Sequence, residues 1–106
     1  MEIVRTSRFD RDIRKMGVGA ADVAKLEKAL AENPTVGDVI PGLGGVRKVR
    51  FGYGGRGKRG GGRAVYLLLV ADDVIALLRA YGKVEQEDMT PNEKRGLAAL
   101  VKEITG

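Results

Sequence analysis

The chain contains no histidine and no cysteine. The first absence removes the usual general base, the usual zinc ligand and every Ser-His or Cys-His catalytic scheme. The second excludes disulfides and thiolate metal sites. Long apolar runs are missing as well. The longest, Ala64 to Ala71, suits a buried strand and falls far short of a membrane span. The amino terminus carries no apolar stretch of the signal-peptide kind, so the expectation is a soluble, cytoplasmic protein. A length of 106 residues leaves room for one domain, 1–106, with one small core.

A local absence says more. From Val39 to Ala71 there is no acidic residue, and the same window holds Arg47, Lys48, Arg50, Arg56, Lys58, Arg59 and Arg63. The whole chain has 19 Lys and Arg against 14 Asp and Glu, a net +5, so its positive charge is concentrated in this window. Ten of the 16 glycines lie there too, between Gly42 and Gly62. A basic, glycine-rich segment can bring backbone N–H groups and cationic heads close to phosphates. The plainer alternative is a solvated basic hairpin.

The remaining pattern predicts an α+β domain. Glu2 to Thr6 reads as a strand. Ser7 is expected to cap a helix with Asp10 as its reciprocal partner, and Phe9, Ile13 and Met16 form that helix's apolar face. Gly17 and Gly19 end it. A second helix is expected from Ala20 to Glu32, with Val23, Leu26 and Leu30 inward, closed by Asn33-Pro34. Thr35 to Gly45 reads as a loop. Val46–Phe51, Arg63–Val70 and Val74–Tyr81 read as three strands of an antiparallel meander, with Gly52 to Gly62 as a basic connection and Asp72-Asp73 as a turn. Thr90, Pro91 and Glu93 supply the N-cap, N1 proline and capping-box partner of a last helix, whose stripe is Leu97, Leu100, Val101 and Ile104. The expected arrangement packs the helices, including the C-terminal one, on one sheet face.

Two glycine motifs are coincidental. Gly52, Gly54 and Gly57 match G-x-G-x-x-G, but a strand follows where the dinucleotide fingerprint needs a helix. Gly57-Lys58 resembles part of a Walker A motif, yet Arg59 stands where a hydroxyl must hold Mg²⁺. Asp72-Asp73 fits a turn, and Glu85, Glu87 and Asp88 suit the positive end of the last helix. What remains is cationic. Lys48 and Arg50 share a strand face, Arg63 opens the next strand, and Arg79, Tyr81 and Lys83, at i, i+2 and i+4 along the third, share one face while that strand continues. If the faces match, a basic strip crosses the sheet away from the helices, where it can bind an RNA backbone and stabilise a pentavalent phosphorane.

These residues carry a family resemblance. Gly44-Gly45-Val46-Arg47-Lys48-Val49-Arg50, then Arg56-Gly57-Lys58-Arg59-Gly60-Gly61, then Arg63 and Tyr66, resemble the toxins of the RelE/ParE superfamily, most of all the HigB-like branch. Tyr81 to Lys94 and the run Asn33-Pro34 to Gly42 fit the same branch. The resemblance implies a RelE-like fold and a type II toxin that cuts mRNA on the ribosome. The implied chemistry is attack of a ribose 2′-OH on the adjacent phosphate, with no metal or other cofactor. Carried over residue by residue, it implies Lys48, Arg50, Arg63 and Lys83 as catalytic. Arg47, Arg56, Lys58, Arg59, Arg79 and Tyr81 are read as contacts to RNA. The proton acceptor stays open between Lys48 and Lys83, with Glu85 in reserve. The chain departs from the pattern at Val84, where RelE has arginine and HigB-like proteins often have asparagine. It departs again at Thr90, where RelE has tyrosine. The implied partners are a cognate antitoxin, expected to be of helix-turn-helix type, the ribosome and mRNA. A ParE-like inhibitor of DNA gyrase and a non-catalytic RNA-binding module are the alternatives.

Overall fold

The computed structural model describes residues 1–55, 57, 61–83 and 88–106. The expectations placed on Arg56, Lys58, Arg59 and Val84–Glu87 lie outside these residues.

The element order is β1 (Glu2–Arg5), α1 (Ser7–Met16), α2 (Ala20–Glu32), β2 (Asp38–Val39), β3 (Val46–Phe51), β4 (Gly62–Leu69), β5 (Val74–Gly82) and α3 (Pro91–Thr105). One sheet holds all five strands in the order β1-β5-β4-β3-β2. The expected meander is present as β3, β4 and β5, with antiparallel pairing throughout. β1 joins it parallel to β5, pairing Glu2 with Val74 and Arg5 with Leu77. The loop expected from Thr35 to Gly45 contains the short edge strand β2, which pairs Asp38 with Lys48 and Val39 with Arg47.

The helices occupy both faces of the sheet, which corrects the expectation of a single helical face. Phe9 of α1 and Leu26 and Leu30 of α2 pack with Phe51, Ala64, Tyr66, Ile75 and Leu77. Leu97 and Val101 of α3 pack with Val46, Val65, Leu67, Ala76 and Leu78 on the other side. Alternation requires this. β4 and β5 carry large apolar side chains at both parities, and leaving either face open would expose several of them, at roughly 1.5–3 kcal/mol each.

Local signals explain the helix ends, with one shift. The cap of α1 is Thr6, not Ser7: the Thr6 hydroxyl accepts from the Phe9 N–H (3.2 Å) and donates to the Leu77 carbonyl (2.9 Å). Thr6 therefore caps the helix and fastens it to β5, a cross-chain contact that capping statistics cannot see. α3 begins as expected. Thr90 Oγ1 accepts from Glu93 N–H (3.1 Å), and Glu93 accepts from Thr90 N–H (2.8 Å). Such a cap contributes about 1 kcal/mol.

Two features aim the strands. Between Val65 and Tyr66 of β4 the register with β5 slips, because Leu78 is an extra residue on β5. This bulge reverses the parity of everything after it. The basic connection is also pinched at its base. A Cβ on Gly61 would run into the Phe51 carbonyl oxygen, and one on Gly62 would lie 2.7 Å from the Phe51 ring. Glycine at both positions lets β3 and β4 close, and the Gly61 carbonyl then accepts the Lys83 N–H at 3.0 Å.

Candidate functional site

The site is built by strand register. Arg50 of β3 pairs with Arg63 of β4, and Arg63 pairs with Tyr81 of β5. Lys48 lies two residues before Arg50 on the same face, paired with Val65, which in turn pairs with Arg79. The α3 core includes Val46, Val65 and Tyr81, so this face is the one α3 packs on. The row is thus not on a helix-free side, as expected from sequence. It occupies the part of the α3 face that lies beyond the start of that helix.

The environments of these residues differ. Arg50 is exposed and Lys48 half-buried. Arg63 is only 6% exposed, and its guanidinium donates to the Gly62 carbonyl at 3.0 Å. A guanidinium this enclosed is preorganised, with little freedom left to lose on binding an anion. Tyr81 is buried beside it, and its hydroxyl has no hydrogen-bond partner among the described residues. Burial, reinforced by the nearby Asp88 carboxylate, pushes the Tyr81 phenol up to about 12. It is therefore a neutral O–H donor at physiological pH. Lys83, directly after β5, is exposed, and its backbone is tied to Gly61.

Two expected RNA contacts are placed elsewhere. Arg47 has the opposite parity to Lys48 and donates to the Gly37 carbonyl (2.8 Å) and the Thr35 carbonyl (3.3 Å). It holds the loop that leads into β2. Arg79 is turned inward. Its Nε donates to Asp12 Oδ2 at 2.8 Å and its Nη2 to Glu93 Oε2 at 3.1 Å, which ties α1, β5 and α3 together. Arg56, Lys58 and Arg59 belong to the undescribed part of the basic connection.

The structure adds two residues that the pattern reading did not select. The Asp88 carboxylate lies 3.6 Å from the Lys48 ammonium and 3.3 Å from that of Lys94 in α3. The Met89 N–H donates to it at 2.7 Å, and this bond, with Lys94 and Lys48, holds the Asp88 carboxyl below the usual range. The Asp88 carboxylate thus links Lys48 of β3 to Lys94 of α3. The signal for Lys94 was present in the sequence: the Thr90 cap sets the phase of α3 and puts Lys94 in its first turn. Its nearness to Lys48 required the tertiary fold.

An enclosed arginine, an exposed arginine, a lysine and a buried phenol thus share one face of the sheet. A family model for the RelE toxin of the RelE/RelB toxin–antitoxin system matches residues 1–106. The chain belongs to the RelE toxin family. Solved structures share the toxin's fold. One is a free-state double mutant of the E. coli toxin RelE with two arginines changed to alanine. It is 18% identical, with a TM-score of 0.61, and the match covers 92% of this chain and 93% of that one. Another is a conserved hypothetical protein of Helicobacter pylori, 20% identical, with a TM-score of 0.56 over 80% of this chain and 97% of its own. Among the described residues of the toxin, no helix is long and apolar enough to cross a membrane.

Proposed function

We propose that this toxin is a HigB-like, ribosome-dependent mRNA endoribonuclease of the cytoplasm, held in check by a cognate antitoxin of helix-turn-helix type. The observation that carries the reading is the in-register row Arg50–Arg63–Tyr81, with Lys48 on the same face. In the reaction, a ribose 2′-oxygen attacks the adjacent phosphorus. The 2′-OH proton passes to a base, the P–O5′ bond breaks, and the leaving 5′-oxygen takes up a proton. The products are a 2′,3′-cyclic phosphate and a 5′-hydroxyl. Charge builds on the non-bridging oxygens as the phosphorane forms. Arg63, fixed by its burial, and Arg50 face that charge, and preorganised donors of this kind contribute about 3 kcal/mol each. Lys48 and Lys83 are the residues proposed to move protons, and Tyr81 donates a hydrogen bond without ionising.

Primer extension on mRNA from cells induced for the toxin tests the reading. Cleavage within translated frames, lost in Arg63→Ala and Arg50→Ala variants, is the expected result. Intact mRNA with arrested translation would replace the enzyme by an RNA-binding inhibitor. DNA damage with intact mRNA would point to gyrase instead.

A further inference from the structure

A second cationic site lies at the other edge of β5. β1 pairs with β5 only as far as Leu77. Past that point α1 takes the place of a strand: Asp12 accepts the Ala80 N–H at 3.0 Å. Between α1, the end of β5 and the start of α3 runs a cleft of about 360 Å³, lined among others by Arg8, Arg11, Lys15, Tyr81 and Gly82.

Among the described residues its charge is unbalanced: the carboxylates of Asp12 and Glu93 in its wall are both bonded to Arg79, and Asp12 also pairs with Arg8 at 3.5 Å. Arg11 and Lys15 are exposed and form no ion pair among the described residues. They stand at i and i+4, where like charges repel and weaken a helix. The negative end of α1 accounts for Lys15, which lies in the last turn, but not for Arg11. The cleft also leads to the row already described, since Tyr81 and Gly82 in its wall pair with Arg63 and Gly62.

We propose that Arg11 and Lys15, with Arg8 beside them, form a second phosphate-binding subsite that engages an RNA backbone flanking the phosphate held at Arg50 and Arg63. This rests on the ribonuclease reading above. The ligand is a phosphodiester of RNA. It belongs either to the mRNA strand being cut or to ribosomal RNA next to it, and both offer the same anionic oxygens to these cations.

Three proteins decide the matter: wild type, Arg11→Ala/Lys15→Ala, and Arg14→Ala. Arg14 is an exposed cation of the same helix that is not among the residues lining the cleft, so it controls for a general loss of charge. Circular dichroism establishes that each is folded. Fluorescence anisotropy then measures binding to a single-stranded RNA made uncleavable by 2′-O-methylation, across a salt series. Co-sedimentation measures binding to ribosomes. The double variant is expected to bind more weakly. On the single strand its salt slope should be shallower by about 1.4, from roughly 0.7 per cation, while Arg14→Ala loses clearly less than half of that. A loss on both ligands assigns the subsite to the mRNA strand, and a loss on ribosomes alone assigns it to ribosomal RNA. Wild-type affinity for both ligands in the folded double variant would overturn the subsite and leave the ribonuclease reading standing. Equal losses in the double variant and Arg14→Ala would overturn it too. A wild-type toxin that neither binds RNA or ribosomes nor cleaves mRNA would remove the ribonuclease reading, and the subsite with it.

Discussion

Replacing Arg79 with alanine separates two roles that the sequence alone assigns wrongly. In the strand pattern Arg79 belongs to the basic strip, and its loss would weaken RNA binding at little cost to the fold. In the structure its side chain is 11% exposed, and its guanidinium bonds the side chains of Asp12, 10% exposed, and Glu93, 23% exposed. Arg79→Ala therefore strands the Asp12 carboxylate at the edge of β5. Asp12 keeps the Ala80 N–H and a longer contact to Arg8. Breaking a buried pair by removing one partner costs about 3–5 kcal/mol, and the remaining partners of Asp12 place this case near the lower end, about 3 kcal/mol. For a domain of this size that lowers the melting temperature by roughly 15 °C. It leaves the protein folded at 25 °C if its total stability is typical, about 5–15 kcal/mol. Urea denaturation of wild type, Arg79→Ala, Asp12→Asn and the double variant measures the coupling directly, since the second substitution should cost little once the first is made. The reasoning fails if Arg79→Ala unfolds within about 0.5 kcal/mol of wild type while RNA affinity falls tenfold.

Three further outcomes follow. Tyr81→Phe should unfold with equal or greater resistance, by up to about 1 kcal/mol, because it removes a buried hydroxyl that has no partner among the described residues. Reduced mRNA cleavage in that folded variant would assign the hydroxyl to the reaction. Above pH 10 the toxin should lose stability. Burial raises the phenols of Tyr66 and Tyr81, the latter to about 12, so the unfolded chain ionises first and binds fewer protons than the native state. The loss should run from pH 10 to 12 and shrink in Tyr81→Phe, and a flat stability profile there would refute it. Gly37→Ala should destabilise the fold by about 1–3 kcal/mol, since the new Cβ would sit 2.9 Å from the Tyr66 ring and 3.0 Å from the Lys48 carbonyl oxygen. The Tyr66 hydroxyl, which accepts the Gly37 N–H at 2.9 Å and donates to Pro34 at 2.7 Å, cannot withdraw without losing both bonds. Thermal melts of the variant and wild type measure the cost.

The elements themselves were legible from local chemistry. Residues 20–32 carry helical spacing closed by Asn33-Pro34, and α2 spans Ala20–Glu32. Thr90, Pro91 and Glu93 state the start of α3 within four residues, because a capping box is a local arrangement of hydrogen bonds. Alternation in Val46–Phe51 put Lys48 and Arg50 on one face and Val49 and Phe51 on the other, since strand parity depends on the chain alone. The absence of acid from Val39 to Ala71 marked the same segment as basic, and this too needs no fold.

What the tertiary structure decided is which of these faces meet. Strict alternation puts Tyr81 on the same side as Ile75 and Leu77, against α1 and α2. The extra residue Leu78 turns it to the α3 side, beside Arg63. A bulge depends on how two strands fit, and residues 74–82 read alone carry no sign of it. The inward turn of Arg79 depends on Asp12 and Glu93, which are 67 and 14 positions away. The burial of Arg63 goes with its place in β4 between β3 and β5, which pair it with Arg50 and Tyr81. Short-range patterns reveal elements and their polarity because backbone geometry repeats every few residues. The partners of a charged side chain come from distant parts of the chain, and only packing selects among them.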